Sequence, residues 1–173
     1  RMPPDLEVRH VAVLPGEVTR LLDPRAGETW GDCTVGGGGH ARLNVERIGP
    51  TGKLIGLDQD PTMLEKARSR LAGLPVELVH ANFDQLSEAL RNRGIDAVDG
   101  VLADLGFASD QVESAKRGLS FREEGPLDMR LDPTTGTTAA DLVNTLSEAA
   151  LADLIYEFGE ERQSRRVARA IVE

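Results

Sequence analysis

Apolar residues recur in this chain as short runs that alternate with longer stretches of helical spacing. Thr29–Cys33 is one short run, broken at Asp32. A glycine run, Gly36–Gly39, follows and leads into a helical stretch over His40–Ile48. Leu54, Ile55 and Leu57 form a second run that ends on Asp58. Pro61 suits the first turn of a helix, and Met63, Leu64, Ala67 and Leu71 continue it at helical spacing. Val76, Leu78 and Val79 read as a third strand. Leu86, Ala89 and Leu90 read as a helix stopped by Gly94. Ala97–Leu105 reads as a fourth strand, largely buried. Strands alternating with helices of this length predict right-handed βαβ units around a parallel sheet.

After Leu105 the pattern changes. Residues 106–136 are rich in Gly, Pro, Ser and charge and have no period. A stretch of that length without regular structure is usually functional or disordered. Phe121, Leu127, Met129 and Leu131, interleaved with charge, suggest a loop that packs down. From Thr137 the spacing is helical again: Ala139–Asn144, Ser147–Phe158 with Ser147 as N-cap, and Glu160–Glu173. The expected organisation is a cofactor-binding part over 1–105, a loop region over 106–136 and a helical part over 137–173. There is no internal repeat.

Composition narrows the class. The chain has 173 residues and a formal net charge of −9, and 40% of it is hydrophobic, enough for a core. No window approaches the roughly 18 continuous apolar residues of a membrane span, and residues 1–10 contain no apolar signal core. Cys33 is the single cysteine, so an internal disulfide framework and a multi-cysteine zinc site are excluded. No His/Cys cluster suggests a metal. These features point to a soluble, cytoplasmic, globular protein. Residues 1–105 and 106–173 are each net acidic, which argues against nucleic-acid binding through overall charge. Aromatics are 3%, too few for a base-stacking platform.

The candidate chemistry gathers at the ends of the expected strands. Gly36, Gly38 and Ala41 fit G-x-G-x-x-A between a strand and a helix, and Asp58 follows Gly38 by 20 residues. That is the spacing at which an acid meets ribose hydroxyls in nucleotide-type sites. The alternative is a flexible turn with a solvated Asp58. Sites for NAD, FAD and S-adenosylmethionine share this geometry. Asp32 discriminates: a pyrophosphate would not want a carboxylate just before the loop, whereas an ammonium or sulfonium would. His40 could contact the ligand or cap the helix. Phe83, after the third strand, could pack on an adenine face or lie in the core. Asp104, after the fourth strand, could accept a hydrogen bond from a substrate amine or cap the turn at Gly106. Arg162, Arg165, Arg166 and Arg169 share one helical face. They suit phosphate contact, or a solvated face paired with Glu157, Glu160 and Glu161.

In this order the segments resemble one family, the bacterial 16S ribosomal RNA cytosine-N4 methyltransferases. The matching text is HVAVL at 10–14, DCTVGGGGHA at 32–41, GLDQDP at 56–61, DGVLADLG at 99–106, RGLSFREEGPLDMRLDP at 117–133 and GEERQSRRVARAIVE at 159–173. Ala12 departs from the usual proline, and residues 107–110 depart from the usual V-S-S-P. The resemblance implies a class I S-adenosylmethionine-dependent methyltransferase fold, Rossmann-like with a parallel sheet, and an inserted helical domain that begins after the fourth strand. It implies S-adenosylmethionine held by Gly38, Gly39, His40, Asp58, Phe83, Asp104 and Gln111. The substrate would be 16S rRNA in the small ribosomal subunit or its precursor, methylated at N4 of a cytidine in the decoding region. Family chains continue well past Glu173, so the C-terminal half of the family fold is expected to be absent from this chain. A fragment that binds only cofactor or RNA, and an NAD-dependent oxidoreductase, are the competing readings. The oligomeric state stays open, a homodimer included.

Overall fold

A computed structural model describes residues 12–173, so His10 and Val11 of the matching text lie outside the described residues. The chain divides into two units, the first running to Ser109 and the second Asp110–Glu173.

The first unit is a parallel four-stranded sheet. Its strands are β1 (Thr29–Asp32), β2 (Lys53–Asp58), β3 (Val76–His80) and β4 (Gly100–Leu102), in the order β3-β2-β1-β4. The order reverses at β1, and in open parallel sheets the ligand crevice lies at such a point, beyond the strands' carboxyl ends. Helices α2 (Gly39–Ile48), α3 (Pro61–Arg70) and α4 (Leu86–Arg91) are the crossovers. The strict alternation in β2 separates two cores. Leu54 joins Trp30, Val35, Ala41, Val45, Ile48, Leu64 and Ala67 on the face covered by α2 and α3. Ile55 and Leu57 join Ala89 and Leu90 of α4 on the other. Asp60 caps α3 by accepting from Thr62 N at 2.9 Å, with Pro61 as the first helical residue. Helix α1 (Pro15–Leu22) was not expected from the spacing.

The fourth strand is far shorter than the nine residues expected. Among the described residues its one strand neighbour is β1, which has four residues and limits it. The Asp99 carboxylate accepts from Thr29 N at 2.8 Å and fixes where pairing begins. Burial is also less than expected: Leu102 is buried, whereas Val101 is 45% exposed and Leu105 66%. Among the described residues no strand lies on the other side of β4.

The second unit starts within α5 (Ser109–Val112) and contains α6 (Ala139–Thr145), α7 (Glu148–Gly159) and α8 (Ser164–Val172). Ser147 caps α7 as expected, accepting from Ala150 N at 3.3 Å. The last helix begins four residues later than expected, because Glu160 takes a left-handed conformation (φ 51°) and ends α7. Leu151, Ala152 and Ala168 are its buried core.

The loop between the units' regular elements is ordered by polar contacts, not by the apolar packing its sequence suggested. Phe121 is 98% exposed, and Leu127 and Met129 are about half exposed. Arg117 Nη1 donates to the Leu131 carbonyl at 2.8 Å, and Met129 N donates to the Arg117 carbonyl at 2.8 Å. Arg130 forks onto Asp128 with two bonds of 2.8 Å and reaches the Thr135 and Gly136 carbonyls. That fork holds the Asp128 carboxyl at about 2. Backbones cross so closely that a Cβ on Gly125 would stand 1.8 Å from the Ala115 carbonyl oxygen. Gly125→Ala is therefore expected to open this loop. The check is limited trypsin digestion: cleavage after Arg117, Arg122 or Arg130 should speed up at least severalfold while the thermal melt of the sheet unit stays in place.

Candidate active site

The site is built on the first unit. β1 delivers Asp32 at its carboxyl end, fully enclosed at 1% exposure. Its Oδ1 accepts from Thr34 N at 3.0 Å, and its Oδ2 has no hydrogen-bond partner among the described residues. Burial pushes the Asp32 carboxyl up to about 7. The Thr34 amide opposes that rise, and the charges of Asp58 and Asp104 add to it. Burial, with the charge of Asp32, also pushes the neighbouring Cys33 thiol up.

The glycine loop then turns over the end of the sheet. Gly38 has φ 82°, a left-handed conformation, and a Cβ there would stand 3.1 Å from the Leu71 side chain. It is the N-cap of α2, with no side-chain acceptor, and Gly39 and His40 open the helix. Asp58, at the end of β2, fixes the turn: it accepts from Gly36 N at 2.8 Å and from Asp60 N at 2.8 Å. Asp104 lies two residues beyond β4 and is tied to the same loop, since its N–H donates to Thr34 Oγ1 at 2.8 Å. His40 Nε2 stands 3.8 Å from Asp104 Oδ2. Three carboxylates thus surround a glycine turn, with the imidazole of His40 facing one of them.

The other expected site residues fall as follows. Phe83 opens a short 3-10 turn, Phe83–Gln85, and is 48% exposed, so it is not a core aromatic. The turn is anchored by Asn82, whose Nδ2 donates to Gln59 Oε1 at 3.4 Å next to Asp58. Gln111 belongs to the second unit and is buried there on α5. Arg165, Arg166 and Arg169 lie on α8, but Arg162 precedes it in a turn. Arg169 pairs with Glu148 at 3.4 Å, not with the acids nearest in sequence, because α8 folds back beside the start of α7. Thr34 was missed by sequence reasoning. A lone threonine beside a glycine run carries no periodic signal, and its role of clamping Asp104 exists only once β1 and β4 are neighbours.

The chain matches the model of the MraW methylase family over residues 7–173. It belongs to the MraW methylase family. It is 49% identical over 168 residues to the ribosomal RNA small subunit methyltransferase H of Geotalea uraniireducens, covering 96% of this chain and 54% of that protein. It is 51% identical to the protein of the same name from Geotalea daltonii, with the same coverage. The chain thus spans about half the length of the curated relatives it matches. Among solved structures, TrmN from Thermus thermophilus overlaps 53% of this chain and 27% of its own, with 30% identity and a TM-score of 0.42. Both the DCTVGGGGHA and GPLDMR segments lie within the span that the MraW methylase family matches.

Proposed function

We propose that this chain carries the cofactor site of an S-adenosylmethionine-dependent methyltransferase that acts on N4 of a cytidine in 16S rRNA of the small ribosomal subunit. The observation that carries this reading is Asp32. Among the described residues it is a buried carboxylate with an unpaired oxygen, flanked by two further carboxylates, an arrangement that calls for a positive charge. An ammonium or sulfonium supplies it, and the pyrophosphate of NAD would aggravate the imbalance. An NAD-dependent oxidoreductase is therefore not favoured. Family membership points the same way, since the relatives at 49% and 51% identity are named as small-subunit rRNA methyltransferases.

S-adenosylmethionine, when bound, supplies an electrophilic methyl group on a sulfonium. The residues present fit it: Gly36, Gly38 and Gly39 would let the backbone approach, Asp58 would hold the ribose, and Asp32 would balance the ligand's charge. The family resemblance adds His40 and Phe83 to the contacts. Asp104 is half exposed and acts on the substrate side, where its carboxylate accepts a hydrogen bond from the cytosine amine and orients it. It need not be a strong base, because the nitrogen grows acidic as it gains the methyl group. The base must leave its stack to reach this crevice. Arg162, Arg165 and Arg166 are exposed and suit contact with the RNA backbone, as does Arg169 on its unpaired side.

The test is calorimetric titration with S-adenosylmethionine, S-adenosylhomocysteine and NADH, alongside Asp58→Ala. The first two should bind saturably. The variant should lose about 100-fold in affinity, as the charge-assisted hydrogen bonds from Gly36 N in the glycine loop and from Asp60 N go with the carboxylate. Saturable binding of NADH alone would overturn the reading. The product is tested separately, by mass spectrometry of nucleosides from small-subunit rRNA treated with the whole protein.

A further inference from the structure

Three buried side-chain atoms have no hydrogen-bond partner among the described residues: Asp32 Oδ2, His40 Nδ1 and Asn44 Nδ2. The proposed function accounts for the first. The other two lie four residues apart on α2, so they stack on one helix face. Side chains on a helix lean toward its N-terminus, which aims the Asn44 amide toward the turn that carries His40. Asn44 is 1% exposed and sits in the buried stripe of α2 with Ala41, Val45 and Ile48. Nothing in that apolar packing calls for an amide, and an amide there is costly unless it is paired.

The two orphans are complementary in one protonation state only. His40 Nδ1 accepts a hydrogen bond when the ring proton sits on Nε2. Nε2 is the nitrogen that faces Asp104 Oδ2 at 3.8 Å. One tautomer therefore satisfies both ends: Asn44 Nδ2 donates to Nδ1 once the two side chains rotate into reach, and Nε2–H points at Asp104. We infer that Asn44 is a positioning residue that holds His40 as the Nε2–H tautomer and so aims its N–H at the Asp104 carboxylate. The part played by Asp104 rests on the function proposed above. The tautomer does not, and it is read without any methyl transfer.

The experiment is a long-range proton–nitrogen correlation spectrum of the nitrogen-15-labelled protein at pH 8, with His40 assigned by its loss in His40→Gln. The wild type should show the Nε2–H pattern. Asn44→Leu, similar in size but without a donor, should lower the Nε2–H to Nδ1–H ratio roughly five- to tenfold, as one hydrogen bond is lost. Asn44→Asp, which presents only acceptors, should move the proton to Nδ1. A purely structural Asn44 would change the melting temperature and leave the ratio alone, and that result overturns the inference. A dominant Nδ1–H form in the wild type overturns it too, even where neither variant folds. Normal calorimetric binding of S-adenosylmethionine beside either result would leave the proposed function standing.

Discussion

Asp32→Asn is expected to make the protein more stable at pH 8 and to weaken its binding of a cationic cofactor. In the folded chain the Asp32 carboxyl sits at about 7, against 3.8 unperturbed. A folded-state value above the unfolded one means that the native state binds the proton more tightly. The stability this group gives is present below pH 3.8 and is lost as pH rises through 7. A shift of about three units is worth on the order of 4 kcal/mol. Asparagine removes that loss and keeps the bond from Thr34 N. Its buried amide, which has no acceptor, costs about 1–3 kcal/mol, so the net gain at pH 8 is roughly 2 kcal/mol. Urea melts from pH 4 to 8 check this. The difference between variant and wild type should grow with pH across that window and vanish or reverse at its acid end. A pH-independent difference would sink the assignment. Binding should show the opposite face of the same group. Wild-type affinity for S-adenosylmethionine should fall about tenfold per pH unit below 7, as a proton competes for the carboxylate. The variant should bind weakly and with little dependence on pH. The site holds an unpaired charge at a cost in stability, as functional sites commonly do.

Gly100→Ala should unfold the sheet more readily than any surface change, although it adds one methyl group. Gly100 pairs in register with Trp30, and a Cβ there would stand 2.2 Å from the indole ring. The ring cannot step aside. It is 3% exposed and its Nε1 donates to Glu28 Oε2 at 3.0 Å. Overpacking of this kind costs about 3 kcal/mol. The single tryptophan reports the change directly: its emission should shift to the red while the urea midpoint falls. Trp30→Phe in the same background, with a smaller ring, should recover part of the loss. No recovery and an unchanged midpoint would mean that the two strands do not meet there. Because Trp30 leads β1 into Asp32, the misfit should also weaken cofactor binding.

Much of the fold was legible because its signals are local. The apolar run at 54–57, ended by Asp58, marks β2, and Pro61 marks the first turn of α3. Gly38 could be picked out because a strand, a left-handed turn and a helix follow one another within ten residues. The signals failed where a neighbour decides. Ala97–Leu105 is apolar enough for a long strand, but β1 offers it only four residues of edge. Phe121, Leu127 and Met129 look like packing residues, yet Arg117, Asp128 and Arg130 hold that loop with backbone carbonyls and one ion pair. Arg162 has helical spacing with its fellows, and a left-handed Glu160 ends α7 and leaves Arg162 in the turn before α8.

The sequence by itself determined the alternation of strand and helix, the glycine turn, the acids that end β1 and β2, and the family. Each is carried by residues close together along the chain. The tertiary structure decided what those acids are. Asp32 acquires its raised pKa because the fold excludes water from it, and β2 and the segment after β4 add to the rise by bringing Asp58 and Asp104 to the same end of the sheet. Thr34 becomes a clamp for Asp104, 70 residues away, only through the pairing of β1 with β4. Charge and solvation depend on distances through space, and periodicity along a chain does not contain them.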